Sequence, residues 1–260
     1  IRDIGVTGVQ TCALPISGAE VRSIPAPSGD AGDRGGLQVL ATSMTLGDVT
    51  VPAGSLLVFH RDWHLWKNKV SAVDAADGKV LASLDLSTST FAMGGAYVFA
   101  MGGTYDAKSG HLFVTTYGSV EGESAYRSRI VEIDPSTGDV LGATNVGIDV
   151  SYGVGLAIDP TTGHLWLGSY YGGAQVLEYR IDGAGQLTEL RRFSTVFQGN
   201  IGNVYPGFAG LAFAADGTLW QARLSFNQVR VRVRVVLRSG LWANVIGASP
   251  SFAYARQPGD

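Results

Sequence analysis

Two imidazoles and a carboxylate fall at alternate positions in the run His60-Arg61-Asp62-Trp63-His64. Alternate residues of a β-strand share a face, so His60, Asp62 and His64 at this spacing could converge on one divalent metal ion. The competing reading is a solvated loop, because the internal repeat carries this segment from the end of a strand into a connection. The other two histidines, His111 and His164, each follow a turn glycine at equivalent positions of the repeat. Recurrence at a turn marks them as structural.

The Asp-x-x-x-Gly segments invite a calcium reading that their composition does not support. A calcium loop needs several oxygen ligands at alternating positions and a distal glutamate. Asp159-Pro160-Thr161-Thr162-Gly163 offers one acid. An aspartate that caps its own turn is the simpler account. The sequence contains no G-x-S-x-G elbow, no G-x-x-x-x-G-K-[ST] phosphate loop, no H-E-x-x-H and no C-x-x-C. No catalytic residue is assigned, and no cofactor is expected beyond that possible divalent metal.

Positioning these residues falls to strands. GGTYDAKSGHLFVTTYG (102–118), GLAIDPTTGHLWLGSYYG (155–172) and GLAFAADGTLWQARL (210–224) align with one another, and Leu112, Leu165 and Leu219 are equivalent. A second element alternates with the first, in VSAVDAADGKVLASL (70–84), IVEIDPSTGDVLGAT (130–144) and VLEYRIDGAGQLTEL (176–190). Each is an apolar run, a tight Asp/Gly turn and a second apolar run, which is the pattern of a β-hairpin. Two hairpins per repeat make a four-stranded unit on the scale of a propeller blade. The fold class expected is therefore all-β, a β-propeller of four-stranded antiparallel blades, with about four blades and an incomplete ring. Blade 1 covers about 55–86 with its innermost strand within 37–51. Blade 2 covers about 101–146, blade 3 about 154–195, and blade 4 begins at 209.

In that geometry the short turns around Asp74, Asp106, Asp134, Asp159, Asp182 and Asp216 share one rim, and the longer connections share the other. Long connections on a rigid scaffold are where binding groups usually sit. Here they collect Trp63, Trp66, Tyr117, Tyr126, Tyr152, Tyr170, Tyr171, Phe197 and Tyr205. Such rings suit a protein, peptide or carbohydrate partner, or else pack between blades. A net charge of −3 with no basic stripe argues against nucleic acid. No apolar run approaches the roughly 18 residues of a membrane span.

VEIDPSTGDVL (131–141), GLAIDPTTGHLWLGS (155–169) and GFAGLAFAADGTLW (207–220) resemble bacterial propellers of the NHL, YVTN and SMP-30-like kind. The likeness is to propeller modules of large secreted or surface proteins, and covers about 55–224. It implies a non-enzymatic binding module outside the cell or on its surface. The SMP-30-like branch implies instead a metal-dependent lactonase whose ion sits in the central channel. Asp149, Asn200 and Asn203, in loops entering innermost strands, are the candidate ligands that this branch implies. A purely structural repeat array is a third reading.

A different resemblance covers the first residues. VTGVQTCALPI (6–16) is similar to the in-frame translation of a short-read sequencing-library adapter, so 1–16 are expected to be foreign to the fold. The sole cysteine, Cys12, lies there, which leaves the remainder without disulfides, thiolate metal sites or a cysteine nucleophile. The blades are expected within 17–229. From Arg230 onward five arginines face one acid and the turn signals cease, so 230–260 reads as a blade remainder or as frameshifted sequence.

Overall fold

A computed structural model describes residues 23–24, 27, 32–62, 67–86, 99–118, 127–146, 153–169, 175–183, 186–194, 207–214, 217–224, 232–236 and 242–243, with only the backbone described at several strand ends. The described residues form 18 strands and no helix. Four four-stranded antiparallel sheets follow one another along the chain, as the blades of an incomplete β-propeller. Blade 1 consists of β1 (Gly32–Val39), β4 (Leu56–Asp62), β5 (Lys67–Val73) and β6 (Val80–Asp85). Blade 2 is β7 (Phe99–Asp106), β8 (His111–Gly118), β9 (Arg127–Ile133) and β10 (Val140–Asn145). Blade 3 runs through β11 (Gly153–Ile158), β12 (Leu165–Ser169), β13 (Gln175–Ile181) and β14 (Leu187–Ser194). Blade 4 comprises β15 (Gly207–Phe213), β16 (Leu219–Leu224), β17 (Arg232–Val236) and β18 (Trp242–Ala243). Its last two strands fall in the arginine-rich segment.

The innermost strand of blade 1 departs from the sequence expectation. It is Gly32–Val39, whereas Met44–Leu46 (β2) and Val49–Val51 (β3) pair only with each other. That small hairpin is an insertion on the short-turn rim. Met44, Leu46 and Val51 join the core between blades 1 and 2, and the Gly47 N–H donates to the Pro135 carbonyl of blade 2 at 2.8 Å.

The cores lie between blades because side chains of a strand alternate faces. In β8, Leu112 and Val114 pack toward blade 1 while Phe113 packs toward blade 3. In β12, Leu165 and Leu167 pack toward blade 2 while Trp166 packs toward blade 4. The sheets of blades 2 and 3 therefore each have two apolar faces.

The strands β1, β7, β11 and β15 lie side by side around the centre. All four break register at the same place, leaving Gly35, Met101, Val154 and Ala209 as extra residues ahead of Gly36, Gly102, Gly155 and Gly210. A bulge sharpens twist, and glycine at this point lets neighbouring backbones touch. A Cβ on Gly36 would lie 3.0 Å from Gly103 N, and one on Gly155 would lie 2.9 Å from Leu211 N. The side chain of Gln38 reinforces the same junction. Its amide donates to the Tyr105 carbonyl at 3.2 Å, and its Oε1 accepts the Tyr105 N–H at 2.6 Å.

Candidate functional site

The Asp/Gly turns are built as their sequence suggests. Asp74, Asp106, Asp134 and Asp159 each accept the N–H two residues on, at 2.7, 3.1, 2.8 and 2.9 Å. Each backbone carbonyl accepts the N–H of the glycine four residues on, and those glycines all have positive φ, between 71° and 81°. The carboxylates are thus engaged with their own turns. Asp134 is held below the usual carboxylate range, first by the Ser136 hydroxyl and then by the Ser136 N–H. The turn at Asp182 is built differently. Its carboxylate accepts from Arg180 and Thr188, and the left-handed glycine is the adjacent Gly183. Asp216 lies outside the described residues.

With these turns on one rim, the connections between strands B and C and between successive blades share the other. Of the aromatic candidates there, Tyr117 is described: it stands near the end of β8, half-buried, opposite Phe99 and Ser128. Trp63, Trp66, Tyr126, Tyr152, Tyr170, Tyr171, Phe197 and Tyr205 lie outside the described residues, as do the channel candidates Asp149, Asn200 and Asn203.

The His60 segment differs from the solvated loop that was its competing reading. Strand β4 continues through Asp62, which pairs with Lys67, so only 63–66 connect the two strands. His60 is buried at 3% exposure, and its Nε2 lies 2.8 Å from Ser71 Oγ, which lies 2.8 Å from Ser83 Oγ. One imidazole nitrogen is therefore committed to a hydroxyl chain across the sheet. The Asp62 side chain and His64 lie outside the described residues, so the three-ligand grouping is seen only at its first member. Among the described residues no group of three His, Cys, Asp or Glu side chains could hold a metal ion.

What the described residues do bring together is a histidine–glutamate pair, built twice. His111 Nδ1 lies 2.6 Å from Glu132 Oε1, and His164 Nδ1 lies 2.7 Å from Glu178 Oε1. The glutamates are buried, at 4% and 8% side-chain exposure, and the histidines are partly exposed beside the turns. A buried carboxylate is costly without a donor, and the ring N–H supplies one. In blade 3, Arg191 also donates to Glu178, and its guanidinium lies 5.1 Å from the centre of the Trp166 ring. In blade 2 the equivalent Oε2 of Glu132 is buried with no hydrogen-bond partner among the described residues.

Neither glutamate stands out in the sequence, yet a signal is present. Register makes Ser55 and Thr218 the equivalents of the two histidines, and Ala72 and Val235 the equivalents of the two glutamates. The blades without the histidine also lack the glutamate. This covariation supports a structural role, locking strand B to strand C beside the turn.

No protein-family model matches the chain, and no curated protein matches it. Solved structures with similar architecture include a periplasmic gluconolactonase of Pseudomonas aeruginosa, 16% identical, with 75% of this chain on 54% of that one and a TM-score of 0.47. A gluconolactonase of Xanthomonas campestris is 16% identical, with 75% of this chain on 73% of that one and a TM-score of 0.35. Hydrazine synthase of Kuenenia stuttgartiensis is 16% identical, with 70% of this chain on 56% of that one and a TM-score of 0.45. The chain spans about half the length of the first and third of these. At such identity the likeness is one of fold.

Proposed function

We propose that these blades present a ligand site on the long-loop rim of a secreted or surface-exposed protein. The observation that supports this most is the separation of connections: the described Asp/Gly turns hold tight hydrogen-bonded geometry on one rim, which varies only through the β2–β3 insertion of blade 1, while the connections of the other rim range from four residues (63–66) to thirteen (86–98). The aromatic residues that the sequence gathers in those connections suit a protein, peptide or carbohydrate. Nucleic acid is not the expected ligand, given the acidic balance. No helix among the described residues is long and apolar enough to cross a membrane.

Two uses of that rim follow from the sequence resemblance. One is binding without catalysis, as a module of a larger protein. The other is lactone hydrolysis by an SMP-30-like site, in which a divalent ion held by Asp149, Asn200 and Asn203 would polarise the ester carbonyl. Gluconolactonases are among the proteins that share the architecture, and that fixes the substrates to try first. The full chain should be assayed against aldonolactones with Ca²⁺, Mn²⁺ or Zn²⁺ and with chelator, beside thermal-shift screening of oligosaccharides and peptides. Metal-dependent turnover that Asp149→Ala abolishes establishes the hydrolase. Saturable stabilisation by a glycan or peptide without turnover establishes the binding module, and failure of both removes the rim as a working site.

A further inference from the structure

The two histidine–glutamate pairs differ in one acceptor. In blade 3, Glu178 Oε1 meets His164 and Oε2 meets Arg191. In blade 2, Glu132 Oε1 meets His111, while Oε2 is buried with no hydrogen-bond partner among the described residues. A buried carboxylate oxygen without a donor is costly, and a native structure that carries one calls for a reason.

Position in the sheet shows what is missing. Gly142 faces Glu132 across β9 and β10, as Arg191 faces Glu178 across β13 and β14. The glycine is partly exposed and has no side chain to fill the place that the arginine takes. Arg191 also shows that this place opens to solvent: its side chain is 60% exposed while its Nε donates to a glutamate buried much as Glu132 is. Strand β10 is the last of its sheet, so no further strand of blade 2 lies over the opening. Nearby, the β9–β10 turn adds Asp134 and the exposed Asp139, and β10 itself carries no charged residue. Phe113 stands where Trp166 does beside the glutamate and is wholly buried, so the carboxylate alone marks the site.

We propose that this notch on the outer edge of blade 2 receives an arginine side chain of a partner protein, which supplies from outside the guanidinium that Arg191 supplies to blade 3 from within. A guanidinium is planar, always charged and weakly hydrated, so it can enter a narrow opening and meet a buried carboxylate with a charge-assisted bond. Arginine is also among the residues that most often anchor protein interfaces. Glu132 and Gly142 lie beside the short turn between β9 and β10, away from the long-loop rim. This site therefore stands or falls independently of the ligand site proposed there.

Chemical-shift titration of the isotope-labelled full chain with acetyl-Gly-Arg-Gly-amide tests this, beside the same peptide with citrulline, which keeps the shape and loses the charge. The expected result is saturable binding that moves the Gly142 amide signal and is weaker by roughly tenfold with citrulline. Gly142→Arg, which fills the notch from within and leaves Glu132 in place, should abolish binding. Glu132→Gln, which keeps the shape and removes the charge, should weaken it as citrulline does. Arg191→Gly should add a second site, by emptying the equivalent place in blade 3. No binding to the parent, equal binding of the citrulline peptide, or undiminished binding in either blade 2 variant would overturn the proposal. A single site in Arg191→Gly would overturn it as well, because the two places would then not be equivalent.

Discussion

Blade 3 completes the hydrogen bonding of its buried glutamate and blade 2 does not, although both use the same strands, the same histidine and the same bulge. Leu141 and Leu190 are each the extra residue in the outermost strand, and each is 42% exposed. The bulge then sets the next residue opposite the glutamate: Gly142 faces Glu132, and Arg191 faces Glu178. One position thus decides whether the second carboxylate oxygen has a partner. A repeat preserves the geometry that every blade needs, and leaves polar completion to single side chains.

The sharpest way to break this comparison is to remove the histidine from each blade. His111→Leu should cost about 2–3 kcal/mol, because it leaves a buried carboxylate with neither donor. His164→Leu should cost only about 1 kcal/mol, since Arg191 still serves Glu178. Equal losses in urea denaturation would show that Arg191 contributes nothing to Glu178. The double substitution His111→Ser with Glu132→Ala, which installs the pair found in blade 1, should recover most of the blade 2 loss, as both polar partners go together.

Exchanging the variable residue should shift stability less. Gly142→Arg offers Glu132 the donor that it lacks, at a glycine outside the left-handed region. It should stabilise by about 1 kcal/mol through the new charge-assisted bond and the loss of glycine freedom in the unfolded chain. The reverse change, Arg191→Gly, should destabilise by a similar amount. A Gly142→Arg variant less stable than the parent would mean that the outer strand of blade 2 cannot carry the side chain to Glu132.

The smallest effect lies in the turn of blade 2. Asp134 titrates below its ordinary value because Ser136 hydrogen-bonds its charged form. A lowered carboxylate pKa gives stability that is present above the unfolded value and is lost as pH falls through it toward the folded one. Ser136→Ala should therefore flatten the acid limb of the stability profile below about pH 4 and leave neutral pH nearly unchanged. The exposed position keeps this change slight. An unaltered acid limb would show that the Ser136 hydroxyl does not stabilise the charged form.

Several features were legible from the residues alone. Asp and Gly at fixed offsets specified the turns, because only glycine adopts their positive φ without strain and aspartate can cap its own turn. Repetition of such hairpins at blade spacing led to the propeller. The first innermost strand was not legible: GDRGGLQV lacks alternating apolar residues, while Met44–Val51 looks more strand-like and proves to be an inserted hairpin. That the strand runs past His60 to Asp62 is not legible either, because its length depends on how far pairing with β5 continues.

The sequence by itself determined the turns, the two-faced strands and the number of visible blades, since these depend on local dihedral preference and on alternation along one strand. Only the tertiary structure decided the partners. Glu132 stands 21 residues from His111 while Glu178 stands 14 from His164, because the connection between strands B and C differs in length. No fixed spacing can therefore reveal the pair. The exposure of Leu37 and the burial of Leu156 are likewise invisible in sequence, where both are leucines; the difference lies in what packs against them.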